Sequence, residues 1–297
     1  MTDLARPSIA SSAPLVPADS GDAQLIQLWV DSHRKSAKTR AQYRRVADRL
    51  RAWMATAGTD LRRLSLRQLL DFAETLSPMA PNSQKAILSG VKSLLTFAQK
   101  TGYCAYNVGA ALEIEKPKNT LAERILSEEQ VLRMISQEPD ARKQLIIRVL
   151  YATGGRVSEV CALTWRDAVA RDDAGQLTLL GKGSKTRVVL LSRATWQALA
   201  ASRPTEAGPD TPIFMSRTGK PLTRSWLWEV VKTAARRAGL PDGVSPHWMR
   251  HAHISHALDR GAPPHLVKDT VGHASLDTTS AYAHARPTDS SARYLPV

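Results

Sequence analysis

Residues 177–191 read Leu-Thr-Leu-Leu-Gly-Lys-Gly-Ser-Lys-Thr-Arg-Val-Val-Leu-Leu. Two apolar runs, Leu177 to Leu180 and Thr186 to Leu191, flank the segment from Gly181 to Lys185. That pattern predicts two strands around a tight basic turn, with Lys182 at its start. Most of the remaining chain carries helical signals. This stretch therefore decides the fold class: mainly α, with a small β-sheet in the C-terminal of two domains.

Upstream of the hairpin, Leu145 to Leu150 predicts a buried helix ending at Thr153, Gly154 and Gly155, and a short helix runs from Val157 to about Leu163. Downstream, helices are expected at about 193–202, 223–238, 247–260, 263–270 and 275–284. Ser127 and Gln130 form a capping box before Val131, Met134 and Ile135. Nearer the N-terminus, Tyr43, Val46, Leu50 and Trp53 recur at helical spacing. Ser65 with Gln68 caps a helix carrying Leu69, Leu70 and Phe72, and Pro81 opens a segment that stops at Gly102. These signals divide the chain into a tail at 1–20, an all-helical domain of about four helices at 21–106, a linker at 107–122 and an α+β domain at 123–297. Pro117, between Lys116 and Lys118, marks the linker.

The chain has 297 residues, with 41 Lys and Arg against 27 Asp and Glu, a formal charge of +14. Such an excess calls for a polyanionic partner. Aromatics are few and are not arranged as strand platforms for unpaired bases, so duplex DNA backbone is the expected target. Arg34, Lys35, Lys38, Arg40, Arg44 and Arg45 crowd the first half of the helical domain as candidate phosphate contacts. A solvated helix face is the competing reading. No run approaches the roughly 18 apolar residues of a spanning helix, and no basic segment leads into an apolar run at the start. No membrane partner is expected, and localisation should be cytoplasmic, with the nucleoid. Cys104 and Cys161 are too few for a disulfide framework or a Cys-based zinc site.

Chemistry concentrates in the second domain. Arg156 follows two glycines where one helix ends and another begins, and Glu159, three residues on, is placed to orient it. His247 and Arg250 share a helix face at i, i+3. His247 and His251 have the i, i+4 spacing of zinc-binding helices. Trp248, however, stands where a metalloprotease base would be, and no carboxylate or Cys cluster completes a site, so no metal is expected. Gly272 ends a helix ahead of His273, and Tyr282 lies on the helix that follows. No nucleotide-binding loop is found, and no cofactor is expected.

Together, Thr153-Gly-Gly-Arg156, the hairpin Gly181-Lys182-Gly183, His247-x-x-Arg250, Gly272-His273 and Tyr282 resemble the tyrosine recombinase, or phage integrase, family over nearly the whole chain after the tail. The size and two-domain plan are most similar to the Xer-type members. The resemblance implies an N-terminal core-binding (SAM-like) helical bundle and a catalytic α+β domain that close on opposite sides of double-stranded DNA. It implies a site-specific recombinase that cuts and rejoins DNA through a 3′-phosphotyrosyl bond and a Holliday junction, without metal or ATP. Tyr282 would be the nucleophile, Arg156 and Arg250 would hold the scissile phosphate, and Lys182 would protonate the leaving 5′ oxygen. His247 and His273 would hydrogen-bond the phosphate, with His247 the better candidate to take the tyrosine proton. A homotetramer, or a heterotetramer with a second recombinase, would assemble on DNA. Gly155, where relatives often carry a bulkier residue, predicts a loosened turn around Arg156, and Ala252 stands where Thr is common.

The residue types suit this chemistry. A phenol near pKa 10 needs help to ionise, and two guanidiniums both favour the phenolate and neutralise charge at a pentacoordinate phosphorus. Arg offers a planar, permanently charged fork for phosphate oxygens. Two other readings stay open at this level: a topoisomerase with the same tyrosine chemistry, and a DNA-binding or architectural protein of the same fold without activity.

Overall fold

A computed structural model of the chain describes residues 21–33, 37–115, 118, 120–181 and 185–285, the side chains of 283–285 apart. The chain divides into two compact units, residues 1–118 and 119–297.

The first unit is helical. Helix α1 spans Asp22–Ser32, α2 Ala37–Thr56, α3 Leu66–Glu74 and α4 Pro81–Lys100. In α1, Leu25, Ile26, Trp29 and Val30 form one buried stripe, and in α2 the stripe is Val46, Ala47, Leu50 and Met54, flanked by Tyr43 and Trp53. Helix α3 begins with the expected reciprocal cap, in which the Gln68 N–H donates to Ser65 Oγ and the Ser65 N–H donates to Gln68 Oε1. Gly90 lets α4 approach α2 closely, because a Cβ there would lie 2.9 Å from a Val46 methyl. Asp22 closes the bundle, accepting from Tyr103 Oη at 2.7 Å and from the Leu61 N–H at 3.0 Å. Beyond α4, Leu112 is buried in the same core, with Val108 and Ile114 packed against it.

The second unit holds α5 (Glu128–Ser136), α6 (Ala141–Thr153), α7 (Val157–Cys161), β1 (Ala168–Arg171), β2 (Ala174–Leu180), β3 (Thr186–Leu191), α8 (Arg193–Ala201), α9 (Arg224–Arg237), α10 (Pro246–Asp259), α11 (Pro264–Val271) and α12 (Leu276–Ala285). The Ser127–Gln130 capping box opens α5, and Asp140 caps α6 by accepting from the N–H groups of Arg142 and Lys143. Helix α6 is central. Leu145, Ile146, Ile147, Val149, Leu150 and Thr153 are all buried, and it packs against α5, α8 and α10.

The sheet is antiparallel in the order β1-β2-β3, with Leu177 opposite Val189 and Leu179 opposite Arg187. Leu177, Leu179, Val189 and Leu191 face the core, while Leu180, Val188 and Leu190 are exposed on the other face. The hairpin signal anticipated β2 and β3 but not β1. A small apolar cluster stands apart from the main core of this unit: Ile125, Ile254, Val267, Val271 and Tyr282. Among the described residues no helix is long and apolar enough to cross a membrane.

Candidate active site

Helix α6 ends because Gly154 turns into the left-handed region, at φ 55°. Two side chains then pin that turn. Arg250 Nη1 donates to the Gly154 carbonyl at 2.7 Å, and a Cβ on Gly154 would come within 2.7 Å of the His253 ring. The next residue corrects the expectation of a loosened turn. A Cβ on Gly155 would sit 2.9 Å from Thr153 Oγ1 and 3.1 Å from a Val160 methyl, so glycine is what this tight turn accommodates. The Gly155 N–H also donates to Thr153 Oγ1 at 3.1 Å. Ala252 is fully buried in the main core of the unit.

This geometry delivers Arg156 to the start of α7, where Glu159 gathers three donors. Its Oε2 accepts from the Arg156 N–H at 2.8 Å and from Arg187 Nη2 at 2.7 Å, and its Oε1 accepts from Arg156 Nη1 at 2.9 Å. The Glu159 side chain is only 3% exposed. Burial alone would raise its carboxyl pKa, but the hydrogen bonds from Arg187 and Arg156 prevail and hold it below the usual range. Arg187, on β3, also donates Nε to the Thr270 carbonyl near the end of α11 at 2.7 Å. Arg156 Nη2 reaches the Gly272 carbonyl at 3.3 Å. Gly272 is required twice over, by its φ of 67° and because a Cβ would press on the Arg187 guanidinium at 3.3 Å. Gly181, at the root of the basic turn, adjoins the same cluster, since a Cβ there would lie 3.5 Å from Glu159 Oε1.

Arg250 is 4% exposed. Burial first, then Arg156 and Arg187, lowers its pKa to about 10, so it stays charged at neutral pH. Its Nη2 is buried without a hydrogen-bond partner among the described residues, a donor suited to an anion. His273, in the turn after α11, bonds through Nδ1 with Thr279 Oγ1 at 2.9 Å and stacks over Tyr282 with ring centroids 6.3 Å apart. Burial, followed by Arg250, Arg156, His251 and Arg187, lowers its pKa to about 4. Tyr282 is 6% exposed, and burial raises its pKa against the opposing pull of Arg250. Its hydroxyl lies 2.6 Å from His251 Nδ1. His251, with a pKa lowered to about 4 by burial, His247, Arg124 and Arg250, is neutral at pH 7, and in the tautomer that carries its proton on Nε2 the Nδ1 atom accepts from the phenol. His247 stacks on His251 at 6.0 Å, and partial desolvation together with Arg250 and Arg156 keeps its own pKa below the ordinary range.

Residues 124–289 match the model of the phage integrase family. The chain belongs to that family. It is a Xer-like tyrosine recombinase, 32% identical over 257 residues to tyrosine recombinase XerC of Xanthomonas campestris pv. campestris, a match covering 84% of this chain and 79% of the relative. Tyrosine recombinase XerD of Corynebacterium glutamicum is 30% identical over 272 residues, covering 84% and 88%. In fold it is similar to the XerH site-specific recombinase bound to palindromic difH substrate in a post-cleavage complex, with a TM-score of 0.71 at 20% identity, covering 89% of this chain and 81% of the other.

In this tyrosine recombinase, Arg156, Arg250, His273 and Tyr282 are thus held in one connected cluster, with His247 joined through the His251 ring. Lys182 lies outside the described residues, as do Arg34 and Lys35. Lys38, Arg40 and Arg45 are exposed on α2, whereas Arg44 is half-buried and bonds Gln27. Sequence reasoning missed Arg187, and it weighed His251 only for a metal site that it set aside. Among the described residues no three His, Cys, Asp or Glu side chains group to hold a metal. The α10 histidines instead meet protein partners: His253 donates Nδ1 to the Tyr151 carbonyl at 2.8 Å, and His256 Nε2 pairs with the Leu126 carbonyl at 2.9 Å. The available signal for His251 was its position directly after Arg250, one turn from His247.

Proposed function

We propose that this recombinase cuts and rejoins duplex DNA with Tyr282 as nucleophile, forming a 3′-phosphotyrosyl bond and releasing a 5′-hydroxyl. The observation that carries the reading is the buried Arg250 guanidinium, its Nη2 without a partner among the described residues, beside Arg156 and the Tyr282 phenol. The buried Arg250 charge stabilises a phosphorane far better than it would in water, and Glu159 holds the more exposed Arg156 in place before substrate arrives. His273, neutral and tethered to Thr279, supplies a further phosphate hydrogen bond, as does His247 at the open end of α10. The role of leaving-group acid falls to Lys182 by resemblance, and the position of Gly181 against Glu159 supports it.

Because the phosphotyrosine conserves the bond energy, a 5′-hydroxyl from another strand reseals the backbone without ATP. Exchange between two duplexes breaks two phosphodiesters in each, which requires four nucleophiles and hence four protomers on a Holliday junction. Residues 21–106 would bind the core site opposite the catalytic domain at 123–297, with Lys38, Arg40, Arg44 and Arg45, and with Arg34 and Lys35, contacting phosphate. Much of the affinity would then be electrostatic. The test is a nicked suicide duplex carrying a site selected from a random-sequence pool by its affinity for this chain. The native protein should become covalently attached, and Tyr282→Phe should bind equally but form no adduct. An adduct with the Phe variant would move the nucleophile elsewhere, and plasmid relaxation without any specific site would favour a topoisomerase.

A further inference from the structure

We propose that His251, and not His247, is the catalytic base for Tyr282, its Nδ1 taking the phenolic proton as the tyrosine oxygen attacks phosphorus. This rests on Tyr282 being the nucleophile. The geometry is direct. Tyr282 Oη and His251 Nδ1 are 2.6 Å apart, within the reach that proton transfer needs, and the rings are tilted by 39° with centroids 5.6 Å apart. His247 lies against the His251 ring at 6.0 Å, one ring further from the phenol.

Burial strengthens the case. The Tyr282 ring sits in the apolar cluster of Ile125, Ile254, Val267 and Val271, so its proton leaves along a preformed hydrogen bond and not to bulk water. The groups facing His251 explain why it waits for substrate. Arg250 and His247 on its own helix, Arg124 in the turn at Ala122–Arg124, His273 before α12 and Tyr282 on α12 surround it. Burial first, and then the positive members of that set, keep the imidazole neutral and hence able to accept. A phosphodiester anion seated on Arg250 and Arg156 cancels part of this field and raises the proton affinity of Nδ1 as attack begins. The step balances. The Oη–H proton moves to Nδ1, Oη–P forms, P–O5′ breaks, and O5′ takes a proton from the leaving-group acid. In rejoining, a 5′-hydroxyl attacks, Oη–P breaks, and the imidazolium returns its proton to the tyrosine.

The decisive experiment measures single-turnover cleavage of the selected suicide duplex against pH for the native protein and for His251→Ala, His251→Asn and His247→Gln. Asn places an amide oxygen near the position of Nδ1, so it can hold the phenol but cannot take its proton. Both His251 variants should bind DNA as the native protein does and cleave 10²-fold or more slowly, in line with the ordinary yield of general-base catalysis. They should also lose the acidic limb of the pH profile, which His247→Gln should keep. Added imidazole should partly restore His251→Ala. Near-native cleavage by His251→Asn would reduce the residue to a holder of the phenol, and faster cleavage by His251→Ala would make the contact a latch. Loss of the acidic limb in His247→Gln alone would return the role to His247. Any of these overturns the proposal. If Tyr282→Phe forms no adduct while the His251 variants cleave normally, only this inference fails; an adduct in Tyr282→Phe removes the reading beneath it. Should the variants not fold, 15N spectra of the unaltered protein still decide the matter: a protonated Nδ1 on His251 at pH 7 would exclude it as acceptor.

Discussion

Glu159 carries an unusual share of the site for one side chain. Its carboxylate is buried, accepts from two guanidiniums and a backbone N–H, and is the acidic member of a cluster that otherwise holds Arg156, Arg187 and Arg250. Replacing it with Gln keeps the shape and removes the charge, leaving the Arg187 guanidinium, 11% exposed, without its counter-ion. Breaking one side of such a buried pair costs about 3 kcal/mol. Glu159→Gln should therefore lower the urea midpoint clearly and slow adduct formation as Arg156 loses its orientation. An unchanged midpoint would mean that the carboxylate is not what holds the guanidiniums. The pairing of Glu159 with Arg156 was legible from spacing alone, because residues three apart on a helix start are neighbours. Arg187 was not, since it comes from a strand 28 residues away in sequence.

At the scale of elements, the site is assembled where α7, β3 and the end of α11 meet, and Arg187 links all three. It spans from Glu159 on α7 to the Thr270 carbonyl on α11. Lys lacks the planar fork whose Nε and Nη2 reach the two acceptors from separate atoms. Arg187→Lys should leave the sheet intact, because Leu177, Leu179, Val189 and Leu191 are untouched, and should melt within a few degrees of the native protein. Trapped adduct should nonetheless form about 10-fold more slowly. A native rate would show that the link between hairpin and α11 is dispensable. Most elements were readable from caps and periodicity: the Ser65 and Ser127 boxes, Pro81 at the start of α4, and Gly272 after α11 all act within a few residues. Strand β1 escaped because Ala168-Val-Ala-Arg171 has a largely exposed edge and shows no alternation. It becomes a strand only by pairing with β2, across a turn in which Asp172 adopts a positive φ of 51°.

For the molecule as a whole, the half-buried histidines couple folding to pH. His251, His253 and His273 all have folded-state pKa values of about 4, below the value near 6.5 expected when unfolded. Between those limits the unfolded chain binds protons that the native state refuses, so stability is complete above about pH 6.5 and falls as pH drops toward 4. Glu159, also depressed, extends the loss in the same direction at lower pH. Urea titrations from pH 7.5 to 4.5 should show the midpoint falling steadily, with a smaller slope in His273→Gln. A flat profile would mean that these imidazoles are not neutral in the folded protein.

The order of residues alone determined the chemical inventory and the local grammar: a duplex-directed positive charge, helices stopped by glycine and opened by Ser or Pro, one basic hairpin, and the resemblance those motifs carry. Such features depend on contacts between near neighbours. The tertiary structure alone decided which groups meet and in what charge state. Arg250 reaches a carbonyl 96 positions away, Arg156 one 116 away, and Tyr282 finds His251 across 31. Desolvation and electric field are properties of everything surrounding a group in space, so the protonation of a histidine, and hence which one can receive the tyrosine proton, exists only once the chain has folded.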